Sequence, residues 1–175
     1  MHPLITIRRI ASLDDRTIDQ LVDVVIDCVD GGASIGFMLP FTRDRARAFW
    51  QKIAPGVAAG HRAMLVAADD RGVCGTVQLV LDLPENQPHR ADLCKMMVHR
   101  RARRMGVGEG LIRAAETMAI EVGRSVLVLD AVTGGDAARL YERLGWVRVG
   151  DIPEYALMPD GAPCSTTYYY RRLAP

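Results

Sequence analysis

The segment Lys95-Met-Met-Val-His-Arg-Arg-Ala-Arg-Arg-Met-Gly-Val-Gly-Glu-Gly-Leu111 decides how the chain is read. An apolar strand ends at Val98, an arginine-rich turn follows, and Gly106 and Gly108 open a helix. The first turn of a helix leaves backbone N–H groups unpaired and carries a partial positive charge, so it holds phosphates well. The two glycines let that backbone approach an anion, and Arg100, Arg101, Arg103 and Arg104 add charge around it. In a chain of net charge +1 this concentration points to one local anion site, and the low net charge argues against a dedicated nucleic-acid binder. A solvated arginine run before an ordinary helix is the plainer alternative. Strand, glycines and helix start in register favour a phosphate-bearing cofactor.

The flanking sequence supplies the rest of the fold. Leu4–Ile10 reads as a strand, and Ser12 with Asp15 reads as a capping box. The helix it opens carries Ile18, Leu21, Val22, Val25 and Val29 up to Gly31-Gly32. A glycine-rich loop, 31–40, precedes a second helix from near Thr42 with Ala46, Phe49, Trp50, Ile53 and Val57 on one stripe. Ala63–Ala68 and Val73–Leu81 read as strands joined by the turn Asp69-Asp70-Arg71-Gly72, and Ala91–Val98 as another strand. The helix after Gly106 presents Val107, Leu111, Ala114, Ala115, Met118 and Val122 and ends at Gly123. Val126–Leu129 is an unbroken apolar run, as expected of a strand covered on both sides. A fourth helix carries Ala137, Leu140, Tyr141 and Leu144; a strand Trp146–Val149, a turn-rich stretch 151–165 and a last strand Thr166–Leu173 follow. The order β-α-α-β-β-β-α-β-α-β-β predicts an α/β fold, a mixed sheet flanked by helices, as a single domain over 1–175. The unit 91–130 supplies the parallel pair.

At 49% hydrophobic and 25% charged residues, the composition is that of an ordinary globular protein. The cysteines at 28, 74, 94 and 164 and the histidines at 2, 61, 89 and 99 are scattered. No metal site and no disulfide framework is therefore expected, and free thiols fit a reducing cytosol. The N-terminus has no sustained apolar region and no apolar run is long enough for a bilayer, so the expectation is a cytoplasmic protein without a membrane partner. Tyr168-Tyr169-Tyr170 reads as a strand with packing and interface tyrosines, compatible with a homodimer, rather than as a stacking platform for bases.

A dinucleotide-binding fingerprint competes for the glycine segment, because Asp130 ends the next strand about twenty residues on. The glycines at 106, 108 and 110 miss its third position, which is Leu111, and a long arginine turn separates them from the strand. A phosphate-binding P-loop is excluded, since no Lys-Ser/Thr follows. Arg103-x-x-Gly106-x-Gly108 after Met96-Met97-Val98 instead resembles the pyrophosphate loop of the GNAT family of N-acetyltransferases. Ala137-x-x-Leu140-Tyr141-Glu142-Arg143-Leu144-Gly145-Trp146 resembles that family's second motif. A narrower likeness, to the tabtoxin resistance protein and its relatives, rests on Gly31–Met38, Lys95–Val98, Asp130 and Pro159-Asp160-Gly161. Departures from the family pattern are Gly134, Met105 and His99, where asparagine, a basic residue and proline are common.

The resemblance implies an acetyl-CoA-dependent enzyme that acetylates the amine of a small molecule by direct transfer. It implies a cofactor site made of Met96, Met97, Val98, Arg103, Arg104, Met105, Gly106, Val107, Gly108, Glu109 and Tyr141. A backbone N–H around Met97 or Val98 would meet the developing oxyanion, and Tyr141 would protonate the departing thiolate, although Tyr141 also fits the buried stripe of its helix. An alkylamine, with a pKa of about 10.4, must lose a proton before it attacks. Asp92 and Asp130 are the candidates to steer the cation and accept that proton. Asp92 reads equally as a surface carboxylate, and Asp130 as a cap of the following helix. Ser34, Phe37 and Met38 in the 31–38 loop would shape the acceptor pocket or serve only as connection. The rival readings are a protein N-terminal or lysine acetyltransferase, and a non-catalytic CoA-binding regulatory module.

Overall fold

The computed structural model describes residues 4–174. Strand β1 (Thr6–Ile10) leads into helices α1 (Asp15–Asp30) and α2 (Arg43–Ala58), then β2 (Arg62–Asp69), β3 (Gly72–Val80) and β4 (Arg90–Val98). Helix α3 (Val107–Glu121), β5 (Val126–Val132), α4 (Asp136–Arg143), β6 (Val147–Leu157) and β7 (Pro163–Arg172) complete the order expected from sequence. The seven strands form one sheet in the order β1-β2-β3-β4-β5-β7-β6, and only β4 and β5 run parallel.

Two apolar clusters sandwich the sheet. On one face Leu111, Ile112 and Met118 of α3 and Ala138 and Tyr141 of α4 pack on Leu65, Val77, Leu93, Leu127 and Leu129. On the other, Leu21, Val25 and Val29 of α1 and Trp50 and Ile53 of α2 pack on Met64 and Val66. Two details place the site. Strands β4 and β5 pair only from Arg90–Val126 to Asp92–Val128, and beyond that point they splay. Lys95 adopts φ 51°, and the β3–β4 register jumps opposite it between Thr76 and Gln78. An inserted residue reverses the alternation of a strand. Leu93 faces the α3/α4 cluster, whereas past the bulge Met96 and Val98 do so and Met97 turns to the α1/α2 side.

The structure departs from the sequence reading in four places. Asp14, not Ser12, caps α1, its carboxylate accepting from the Thr17 N–H at 2.8 Å. The first strand starts at Thr6, so Leu4 lies outside it. β6 runs through most of the stretch read as turns, because it pairs with β7 out to Leu157–Pro163 with irregularities on the way. β5 is sealed on one face only: Leu127 and Leu129 are buried, while Val126 and Val128 are half-buried and Asp130 is exposed.

Candidate active site

The N-terminus of α3 keeps its first-turn amides uncapped by any side chain, with Gly106 at φ 78° in the N-cap position. A Cβ built on Gly106 would meet nothing within 4 Å, so this cradle is open. A non-glycine residue would be strained there. The other two glycines have different reasons. A Cβ at Gly108 would lie 3.2 Å from a Leu140 methyl, and one at Gly110 would lie 2.8 Å from an Ile7 methyl. Gly108 lets α3 approach α4, and Gly110 lets it approach β1. An open helix start with unpaired N–H groups suits the pyrophosphate of a nucleotide-type cofactor.

The arginine cluster divides. Arg100 is held by Asp27 of α1 through Nε at 2.9 Å and its backbone N–H at 2.7 Å. Arg101 is paired with Asp69, whose side chain is 5% exposed, and donates to the Val73 carbonyl at 3.1 Å. These two arginines anchor the turn after β4 to α1 and the β2–β3 hairpin, so they do not serve the anion loop as the sequence suggested. Arg103 and Arg104 remain exposed beside it. Arg103 Nε donates to the Val98 carbonyl at 3.2 Å. Both charges reach Asp136 at the start of α4, where, after the Arg139 hydrogen bond, they help hold that carboxyl below its ordinary value. Val107 is buried and Met105 packs on the core, so their side chains hold α3 in place and only their backbone faces the loop. Glu109 is exposed in the first turn of α3.

The splay brings groups from both sheet faces together. Tyr141 is 4% exposed and packs its ring against Trp146 and Tyr169, at centroid distances of 5.5 and 6.1 Å. Burial, with Asp130 and Cys94 adding, pushes its phenol far above the ordinary value, so it stays protonated. Asp130 pairs in register with Tyr168 and accepts from the Thr166 hydroxyl at 2.8 Å. It caps no helix; the N-cap of α4 is Gly135. Asp92 sits at the last β4–β5 pair and forms an ion pair with Arg90. Both carboxylates help keep Tyr168 protonated, after its 2.9 Å hydrogen bond with Tyr155 and burial; its pKa is pushed up to about 12.

Loop 31–40 crosses the α1/α2 side of this cleft. The Ser34 hydroxyl donates to the Leu157 carbonyl at 3.0 Å and the Leu39 N–H to the Pro159 carbonyl at 3.0 Å. Ser34 therefore ties the loop to the β6–β7 hairpin. Phe37 stacks on Phe41 at 4.4 Å and meets Phe49 edge-on at 4.9 Å, and Met38 is partly exposed. Sequence reading missed Lys95 and Arg62, which join the acids in the cleft. Lys95 Nζ donates to the Ile35 carbonyl at 2.7 Å, and Arg62 donates to Gln78 Oε1 at 3.0 Å. A lysine directly before the apolar end of β4, Met96-Met97-Val98, was the available signal. Another concavity, of about 480 Å³, lies between α1 and the turn after β4; His99, Arg100 and Arg101 line it, and no residue of the splay does.

Residues 60–148 match the family model described as an acetyltransferase (GNAT) domain. The fold is similar to an N-acetyltransferase from Staphylococcus aureus Mu50, with TM-score 0.79, 16% identity, and 98% of this chain and 99% of that one covered. It is similar to a Salmonella typhimurium protein solved with its cofactor acetyl-CoA, with TM-score 0.77, 18% identity, and 97% and 94% covered. It also resembles a phosphinothricin N-acetyltransferase structure, with TM-score 0.75, 21% identity, and 98% and 100% covered. With the family model spanning half the chain over the strands and helices that build the splay, the chain belongs to the GNAT family of acetyltransferases.

Proposed function

We propose that this acetyltransferase uses acetyl-CoA to acetylate the amine of a small molecule by direct transfer, and that residues 1–175 form one catalytic domain. The carrying observation is the β4–β5 splay, with the open N-terminus of α3 on one side and Tyr141, Asp130 and Lys95 around the gap. Acetyl-CoA, when bound, supplies a thioester-activated acetyl group and a thiol leaving group. The amides at the start of α3, with Arg103 and Arg104, would hold the pyrophosphate. Backbone N–H groups around Met97 and Val98, on the β4 edge that β5 leaves unpaired, would donate to the acetyl carbonyl oxygen. Tyr141, kept protonated by burial, would donate its proton to the departing sulfur. Asp130 would orient the acceptor ammonium and take up its proton, directly or through water. Asp92, already paired with Arg90, is better suited to fixing the start of β4 than to acting as the base.

The small acceptor is supported by loop 31–40, which roofs the cleft and is bonded to the β6–β7 hairpin where a peptide would need an open groove. The likeness to a phosphinothricin N-acetyltransferase structure supports an acceptor of the toxin-resistance type, in line with the resemblance to the tabtoxin resistance protein. Free thiols and acetyl-CoA use fit a cytoplasmic setting. The test is calorimetry with acetyl-CoA, followed by thiol release with a panel of amines, amino acids and aminoglycosides. Acetyl-CoA binding without thiol release on any amine would support the regulatory module instead.

A further inference from the structure

We propose that Lys95 and Arg62 form a subsite for an anionic group on the acceptor, so that the enzyme takes amines that also carry an acid such as a carboxylate. The inference rests on the reading of the splay as the acceptor site.

Lys95 is partly buried at the β4 bulge, beneath loop 31–40. Its Nζ lies 5.6 Å from the Phe37 ring centre and 5.9 Å from that of Phe49. An ammonium has three protons to donate, and the Ile35 carbonyl takes one of them. Arg62 comes from β2 on the same sheet face, where Nη1 donates to Gln78 and lies 3.9 Å from Cys94 Sγ. Gln78 is fully buried, and its amide nitrogen has no partner. Among the described residues neither cation lies within ion-pair distance of a carboxylate. The near acids are otherwise engaged: Asp92 by Arg90, and Asp130 by Thr166. Burial, with the nearby Arg62 charge, holds the Lys95 ammonium below its ordinary value, and Asp130 acts on it across space in the opposite sense.

Cations withdrawn from water without a counter-ion are costly, and proteins normally pair them. Two such cations share this cleft with an orphaned amide donor, opposite a single carboxylate, Asp130, that no cation neutralises. A ligand whose ammonium meets Asp130 and whose acid group lies between Lys95 and Arg62 would give every charged group an opposite partner, the two cations sharing one acid. A simple alkylamine would leave both cations unpaired. The phosphates of the cofactor do not fill this role, because their loop at the start of α3 lies on the α3/α4 side of the sheet, whereas Arg62 and loop 31–40 lie on the α1/α2 side.

The experiment compares paired acceptors of equal spacing, α-, β- and γ-amino acids against their carboxamides, each read by CoA thiol release at a pH where both amines are largely free. At one spacing the acid should exceed its amide in kcat/KM by roughly thirtyfold or more, as expected when a buried charge loses its partner. Lys95→Gln and Arg62→Gln should each pull that ratio towards one. Amides that match the acids at every spacing, or a ratio unmoved in both variants, would overturn the subsite. Lys95 also tethers loop 31–40, so if Lys95→Gln fails to fold, the wild-type preference and Arg62→Gln decide. Where no pair turns over, calorimetry on CoA-saturated protein compares N-acetyl amino acids with their amides. Preference for the acid would support the subsite, and its absence would overturn it. Failure to bind acetyl-CoA at all would instead overturn the proposed function.

Discussion

Tyr141→Phe separates chemistry from packing. Tyr141 is 4% exposed, and no group among the described residues is hydrogen-bonded to its hydroxyl, so removing it strands no partner. The phenylalanine ring keeps its contacts with Trp146 and Tyr169. A single hydrogen bond is worth about 1 kcal/mol net, and here none is lost, so the variant should unfold within about 1 kcal/mol of wild type. Tyr141→Ala would cost about 3–5 kcal/mol by emptying the ring's site, which makes it a poor probe. Loss of a general acid lowers kcat by about 10²–10⁴-fold. Thiol release at saturating acetyl-CoA, thermal melts and acetyl-CoA calorimetry together read all three quantities. The pH profile adds a second check. Because burial raises the phenol well above its ordinary value of 10.0, kcat should show no alkaline fall from this group up to pH 10. The unfolded chain releases the phenolic proton near pH 10 while the folded chain holds it, so stability should decline as pH rises beyond that value. A Tyr141→Phe enzyme within tenfold of wild-type kcat would refute the assignment.

Gly106→Val places a branched side chain at φ 78° and fills the open cradle, so KM for acetyl-CoA should rise strongly in a protein about 1–2 kcal/mol less stable. A folded variant with wild-type cofactor affinity would count against the cradle. The two arginine pairs should separate cleanly. Arg101→Ala strands the buried Asp69 and should cost about 3 kcal/mol in urea melts, while the Arg103→Ala, Arg104→Ala double variant should weaken acetyl-CoA binding with little loss of stability. Burial raises the Asp69 carboxyl, but Arg101 carries it below its ordinary value. That contribution is therefore full above about pH 4, is lost as pH falls further, and should be missing from Arg101→Ala. Asp130→Asn keeps an acceptor for the Thr166 hydroxyl and should reduce acceptor binding, kcat or both at unchanged acetyl-CoA affinity; wild-type rates on the best amine would exclude it as the base.

Element order and the glycine-opened start of α3 were legible in the sequence because their signals are local. Helical spacing marks α1 to α4, and a strand, turn and glycine-opened helix within 95–111 mark the anion site. β6 was underestimated for a physical reason: it is an exposed edge strand whose alternation is interrupted at Gly150 and Pro153, where its register with β7 also shifts. Ser12 and Asp14 are both competent caps, and only the direction of the chain leaving β1 selects the second.

What the sequence alone determined is the family's fold and the positions of the glycine that opens α3 and of the tyrosine inside α4, since their signals are local. What the tertiary structure decided is which charges are spent and which are available. Arg100 and Arg101 look like phosphate ligands until Asp27, 73 residues from Arg100, and Asp69, 32 residues from Arg101, claim them. Asp92 stands alone as a carboxylate in the sequence reading, and the folded strand pairs it with Arg90. Lys95 looks incidental until Ile35, 60 residues away, and Arg62 on β2 close around it without a counter-ion. Pairing of charges depends on distances between segments remote in the chain, and only the folded sheet, with its bulge and its splay, brings those segments together.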